Sequence, residues 1–328
     1  MKIRFFNPGL GYRKIKPDID DAIHRVLDRG DLVLREDVEQ FEENLARYVG
    51  TKYAVALNSG TDALYLALKA LDVKGEPVAV PSHTFKSTCG AVINAGGIPE
   101  LYDKTELFFG TQYYITAHIA GEIYPVPSDE RIVVEDAAQA LGAIKNPTTY
   151  AQTWSFYPAK ILGAYGDAGA ITTNDFTLYE YAKEARNHFK KYNSEFGINS
   201  RMDNVQAAVL NVKFRYLPEY LLRRKEIAEK YRALKGVILP DYSEKRVWQD
   251  YIIRTEKRDE LFEFLKERGV ETMKNEYPFT PNYPKLPAAA AYEAQTLRIP
   301  CNPDLTGEEV EYIIHSINEW SESSVAAV

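Results

Sequence analysis

Apolar residues along the 328-residue chain follow two spacings in alternation, and the alternation predicts the fold. At helical spacing they fall in residues 18–30 (DIDDAIHRVLDRG) and again in 35–50 (REDVEQFEENLARYVG), each run stopping at a glycine. YAVALNSG (53–60) is a short unbroken apolar run closing in a turn, a buried strand, and TDALYLALKALDV (61–73) is a strongly apolar helix. PVAVPS, KSTCGAVINAGG and IPELYD continue as strand, helix and strand, and YYITAHIAG and RIVVEDAAQALGA extend the series. Strands alternating with helices imply a mostly parallel sheet covered on both faces. Ligands of such sheets sit beyond the carboxyl ends of the strands.

From about residue 176 the pattern turns to long charged amphipathic helices, over 177–192, 204–221 and 223–236. A strand and helix follow in WQDYIIRT and RDELFEFLKERGV, then a proline-rich loop (EYPFTPNYPKLP) and a last helix (TGEEVEYIIHSINEW). The change in pattern predicts a large domain over 1–220 and a smaller α/β domain over 221–328, with SESSVAAV a frayed tail.

Composition narrows the function classes. A net charge of -7 argues against nucleic-acid binding, which demands a basic face. The two cysteines, Cys89 and Cys301, stand too far apart for a ligand spacing, which excludes a disulfide framework or zinc cluster and fits a reducing cytoplasm. No HExxH pattern is present, so no metal is expected, and no apolar run is long enough to span a membrane.

Three stretches carry candidate chemistry. NSGTDAL (58–64) joins a strand to a helix. Gly60 admits close backbone approach, Thr61 offers a hydroxyl, and the helix N-terminus favours an anion such as phosphate. The same residues read equally as a helix cap, through Ser59 or Thr61. In VVEDAAQA (133–140), Asp136 at a strand end either caps a following helix or holds a cationic ring nitrogen. In WSFYPAKILGAYGDAG (154–169), Lys160 stands among Phe156, Tyr157 and Ile161. A lysine there is either exposed with its stem packed down, or desolvated into a nucleophilic amine fit for a Schiff base. GAYGDAG lacks GxGxxG spacing and is followed by a strand, so it is no dinucleotide loop; its glycines read as room for a ligand. Together a phosphate turn, a strand-end carboxylate and a lysine loop match what pyridoxal 5′-phosphate requires, with Phe85 a candidate to lie flat on its ring.

SGTDALYLAL, VEDAAQALGA, SFYPAKILGAYGDAGA and NSRMDNVQAAVL resemble, closely and in the same order, signatures of the DegT/DnrJ/EryC1/StrS family of pyridoxal-phosphate-dependent nucleotide-sugar aminotransferases. The resemblance implies an aspartate-aminotransferase-like fold (fold type I), with a mainly parallel seven-stranded sheet in the large domain and a small C-terminal α/β domain. It implies Lys160 as the Schiff-base lysine and proton shuttle, Asp136 on the pyridine nitrogen and Gln139 on the ring hydroxyl. Gly60, Thr61, Asp62 (through its backbone) and Ser155 would bind the phosphate, and Phe85 would stack on the ring. Asn199 resembles an asparagine that reaches the phosphate from the partner subunit, which implies a homodimer with shared sites. The substrates implied are glutamate and a nucleotide-diphosphate keto-sugar aminated at its third or fourth carbon, the lysine-loop wording leaning to the third. Arg186, Lys190, Lys191 and Arg201 are candidates for the diphosphate, against a solvated helix end. Two shortened segments, one between ELYDKTELFFG (100–110) and YYITAHIAG (113–121) and one in AIKNPTTYAQTWSF (143–156), depart from the family pattern, as does NEYPFTPNYP where a His-Tyr-Pro segment is common. Two other readings stand beside this one. The sugar 3-dehydratases of the same fold carry histidine at the lysine position, which Lys160 opposes. A non-catalytic pyridoxal-phosphate-binding regulator would also keep these residues.

Overall fold

The computed structural model describes residues 1–103, 110–191, 197–274 and 282–326. Its first helices are α1 (Pro8–Lys14), α2 (Lys16–Arg29) and α3 (Glu36–Val49). The last two stop where the apolar spacing predicts, at Gly30 and Gly50, whose φ values of 70° and 87° are left-handed and suit glycine. Then follow β1 (Tyr53–Leu57), α4 (Gly60–Ala70), β2 (Pro77–Pro81), α5 (Lys86–Ala95), β3 (Ile98–Tyr102), β4 (Tyr113–Ala117), β5 (Ile132–Asp136), β6 (Ala151–Ser155) and β7 (Gly169–Thr173). The strands form one seven-stranded sheet in the order β1-β7-β6-β5-β4-β2-β3. Neighbours from β3 to β6 pair in parallel, and β7 alone runs antiparallel to those beside it. The mainly parallel sheet expected from the sequence is therefore the one that forms.

Side-chain alternation sorts the two faces of that sheet. Ala54 and Ala56 of β1 join Trp154 and Ala170 in one apolar cluster with Phe41 and Leu45 of α3. Val55 and Leu57 join Val78, Val80, Ile115 and Ile171 in a second cluster, under α4 and α5. A one-residue slip of β1 would exchange the two sets, so burial fixes the register.

The remaining elements are α6 (Phe176–Ala185), α7 (Asn204–Arg215), α8 (Leu217–Lys230), β8 (Tyr251–Arg254), α9 (Arg258–Glu267), β9 (Met273–Lys274), α10 (Pro287–Gln295), β10 (Thr296–Ile299) and α11 (Gly307–Ala326). Several depart from the spacing. The helix expected over 177–192 ends at Ala185, because His188 and Phe189 take φ values of 67° and 51° and turn the chain back to pair Asn187 with Asn199. The helix expected over 204–221 breaks at Tyr216, where Pro218 in the first turn of α8 brings no N–H to continue the ladder. No helix follows β5; the residues after Asp136 form turns. The run PAAAAYEAQ, unassigned by its spacing, is α10, and α11 continues into the tail expected to fray. Much of the proline-rich loop, residues 275–281, lies outside the described residues.

Strands β8, β10 and β9 make a small antiparallel sheet in that order. Its core joins Ile253, Leu297 and Ile299 to Leu261 and Leu265 of α9 and Ile313 and Ile317 of α11. Ile3 belongs to this core too: its N–H donates to the Gly269 carbonyl at 2.8 Å and its carbonyl accepts from Glu271 N–H at 2.9 Å. The division expected at residue 220 falls inside α8, which places Leu217 in the first core and Ile227 in the third. Among the described residues no helix is long and apolar enough to cross a membrane.

Candidate active site

The segments leaving β2, β4, β5 and β6 at their carboxyl ends open on a cavity of about 640 Å³, as a parallel sheet predicts. Gly60, Thr61, Phe85, Asp136, Gln139, Ser155 and Lys160 all line it, joined from the small sheet by Asp250 and Arg298.

Lys160 rides the loop from β6 to β7. Phe156 closes the base of that loop, donating its N–H to the Ala168 carbonyl and accepting from Ala164 N–H, both at 2.8 Å. Lys160 N–H in turn donates to the Tyr157 carbonyl at 2.8 Å. The neighbouring glycines serve close backbone packing, where the sequence suggested room for a ligand. A Cβ on Gly163 would lie 2.3 Å from the Pro158 carbonyl oxygen, and one on Gly169 would lie 2.2 Å from the Ser59 carbonyl carbon. Lys160 is half-buried at the cavity wall, which favours the desolvated reading over the exposed one. Desolvation lowers the pKa of its ammonium from the usual 10.5; Asp250 and Asp136 oppose the shift and Arg298 adds to it.

Asp136 ends β5 with both carboxylate oxygens engaged. Oδ2 accepts from the Thr88 hydroxyl of α5 at 2.7 Å, and Oδ1 accepts from Ala138 N–H at 3.2 Å in a local turn. Thr88 is itself 2.8 Å from the Thr84 hydroxyl, and because its own proton goes to Asp136, Thr84 is the donor of that contact. With no helix following, capping is not the role of Asp136; the carboxylate is held facing the cavity by two donors. The Gln139 Oε1 accepts from Ala120 N–H at 2.6 Å, which fixes the amide on the cavity wall.

The turn at 58–64 forms the cap and also borders the cavity. Ser59 caps α4, its Oγ accepting from Asp62 N–H at 3.1 Å. The N–H groups of Gly60 and Thr61 head the helix at the cavity, where the helix dipole favours an anion. Ser155 faces Gly60, on which a Cβ would come within 3.0 Å of the Ser155 Cβ. The Asp62 N–H serves the cap, and Asp62 stands outside the cavity lining.

The structure does not bring the cationic run to this cavity. Arg186 is buried, its Nη1 paired with Glu42 at 2.5 Å and donating to the Ala56 carbonyl at 2.8 Å, so it is an interior tie beneath β1 and unsuited to a diphosphate. Lys190 and Lys191 are exposed in the turn after α6, outside the lining. Arg201 donates to Asn187 Oδ1 at 3.0 Å, and Asn199 is exposed; neither lines the cavity of its own chain.

Sequence reasoning missed several residues here. Thr88 lay within KSTCGAVINAGG, with no local sign that it meets a strand-end carboxylate. Gln249 and Asp250 line the cavity from WQDY, where a polar pair at the head of an apolar strand was the available signal. Arg298 pairs with Asp250 at 2.9 Å, one charge on each of two neighbouring strands' ends. His118 also lines the cavity, accepting from Tyr124 N–H at Nδ1 (3.1 Å), which leaves the Nε2 proton for Glu135 at 2.9 Å. Burial pushes the Glu135 carboxyl up, but bonds from His118, Thr149 and Gln152 outweigh it and hold it below its usual range.

The sequence pattern of the DegT/DnrJ/EryC1/StrS aminotransferase family matches residues 13–109 and 110–318. The chain is 33% identical to the dTDP-3-amino-3,4,6-trideoxy-alpha-D-glucose transaminase of Streptomyces venezuelae, over 98% of this chain and 97% of that protein. It is 32% identical to a protein of Geobacillus stearothermophilus named pleiotropic regulatory protein, over 94% of this chain and 96% of the other. The crystal structure of NtdA from Bacillus subtilis with bound cofactor PMP superposes with a TM-score of 0.88 at 26% identity, covering 98% of this chain and 85% of that one. With a family match running from residue 13 to residue 318, the chain belongs to the DegT/DnrJ/EryC1/StrS aminotransferase family.

Proposed function

We propose that this protein is a pyridoxal-phosphate-dependent aminotransferase that moves an amino group from glutamate to the third carbon of a nucleotide-linked keto-sugar. The observation that carries the reading is the union, in one cavity, of a desolvated lysine, a doubly held carboxylate and the N-terminus of α4. Those residues fit the cofactor: the Lys160 amine for its aldehyde, Asp136 for its ring nitrogen, Gly60, Thr61 and Ser155 for its phosphate, and Phe85 at the cavity wall for its ring face. When bound, pyridoxal phosphate supplies an electron sink for the substrate carbon that loses its proton.

The protein's own part follows from its geometry. Burial holds the Lys160 amine toward its neutral form, which can attack a carbonyl and, once released, carry a proton between substrate and cofactor. Asp136, kept in place by Thr88 and Ala138, presents negative charge where a ring N–H⁺ would be favoured. Amination of the third carbon rests on the name of the Streptomyces relative, and glutamate on the family resemblance. The exposed position of Asn199, outside its own cavity lining, supports a homodimer in which it serves the partner's cavity; a cytoplasmic location fits two free, buried cysteines.

The regulatory reading has one observation in its favour, the name of the Geobacillus relative, and the same experiment decides between them. Purified protein given pyridoxal phosphate should turn yellow, and glutamate should bleach the band as the amino group passes to the cofactor. Lys160→Ala should bind cofactor without that response. Turnover by Lys160→Ala would overturn the mechanism, and a band indifferent to glutamate, glutamine and aspartate would favour the regulator.

A further inference from the structure

The Lys160 loop is gripped by a residue from the far part of the chain. Gln249, just before β8, is 6% exposed and reaches the two peptides that flank Lys160. Its Oε1 accepts from Ile161 N–H at 2.9 Å and its Nε2 donates to the Ala159 carbonyl at 2.9 Å. One planar amide thus satisfies a donor on one side of the lysine and an acceptor on the other, a two-point restraint that fixes both position and rotation of the intervening residue. The grip is itself anchored. Arg224 of α8, fully enclosed, donates from one Nη1 to the carbonyls of Trp248 (3.0 Å), Gln249 (2.9 Å) and Cys301 (2.7 Å). The next residue, Asp250, is tied to Arg298 and lies close enough to the Lys160 ammonium to interact with it.

We propose that Gln249 is a positioning residue for Lys160, setting the depth at which the amine stands and tying it to the Asp250–Arg298 side of the cavity. The proposal rests on the aminotransferase reading for its kinetic consequence, and on the geometry alone for its chemical one. A group that must reach first one carbon and then another is sensitive to small displacements, since misplacement by about 1 Å can cost about a hundredfold in rate.

The test uses Gln249→Met, which keeps the volume and removes both bonds, and Gln249→Glu, which keeps the acceptor for Ile161 and sets an oxygen against the Ala159 carbonyl. In full-length apoprotein, the pH dependence of Lys160 acetylation is read by peptide mass spectrometry. The wild-type midpoint should lie below the ordinary lysine value, with Asp250, Asp136 and Arg298 facing the amine, and both variants should move it upward as the loop regains water. In the cofactor-loaded enzyme, the single-turnover rate with glutamate should fall about tenfold or more with little change in the glutamate concentration at half-saturation. An unfolded Gln249→Met leaves Gln249→Glu to decide. A wild-type midpoint and rate in a folded variant, with only thermal stability reduced, would make Gln249 a structural residue and overturn the proposal. Wild-type enzyme inert toward glutamate would instead remove the aminotransferase reading, while the acetylation midpoint would still judge the clamp.

Discussion

Lys213 shows how much a single enclosed ammonium can govern. It sits on α7 with its Nζ 4.8 Å from the Tyr165 ring centroid and donating to the Gly163 carbonyl, in the loop that carries Lys160. Desolvation lowers its pKa from 10.5 to about 8, Asp304 opposing. The sign of the consequence follows from proton counting. Below about pH 8 folded and unfolded chains both hold the proton, and the cost of the enclosed charge is fully present. Between about 8 and 10.5 the unfolded chain alone retains it, so stability rises with pH, by up to about 3 kcal/mol at 1.36 kcal/mol per pH unit. Lys213→Met should therefore gain on wild type near neutrality and lose that advantage toward pH 10.5. Denaturant unfolding of both proteins across this range measures it, and Lys160 cancels in the difference because both proteins carry it. A pH-independent gap between them would mean that the amine is well solvated.

At the scale of elements, the loop between β6 and β7 depends on backbone contacts that admit no side chain. Gly163→Ala would set a methyl 2.3 Å from the Pro158 carbonyl oxygen, within a loop whose base the Phe156 bonds close. Relief requires the loop to shift, at a cost of about 1–3 kcal/mol. The variant should melt lower and bind pyridoxal phosphate more weakly, measured by thermal unfolding and by cofactor titration; wild-type affinity would show that the loop yields without moving Lys160. This dependence also explains what was legible in advance. The phosphate turn, the strand-end aspartate and the lysine loop each lie within one short stretch, and strands buried on both faces announce themselves as apolar runs. The breaks at Tyr216 and His188 were less visible, because the charged helical spacing continues through both. Arg186 and Gln249 were opaque for another reason: each is defined by a partner remote in sequence, Glu42 for one and the Lys160 loop for the other. Identical local residues would read as a solvated helix end or an ordinary strand start.

For the whole molecule, the question is whether one chain holds a complete site. The return after α6 is pinned by Ile198 N–H on the Ala185 carbonyl at 2.8 Å and by the Asn187–Asn199 bridge, which presents Asn199 outward. An exposed side chain outside its own cavity lining has a use if a second copy brings its cavity there. In a two-fold dimer the exchange would be reciprocal, each subunit completing the other. Pairing two defective chains tests this directly. Lys160→Ala should be inactive, and Asn199→Asp, which sets a carboxylate toward the expected phosphate, should be strongly impaired. Co-expressed in equal amounts, they form hybrids for about half of all dimers, and one of the two sites in each hybrid carries neither lesion. Activity should then return to about a quarter of the wild-type value, since about a quarter of all sites are intact. Were each site built from one chain, no mixture would exceed the average of its parents, because every cavity would keep one lesion or the other. Light scattering on the same samples separates the outcomes: a dimer without recovery places Asn199 off the shared site, and a monomer removes the shared site altogether.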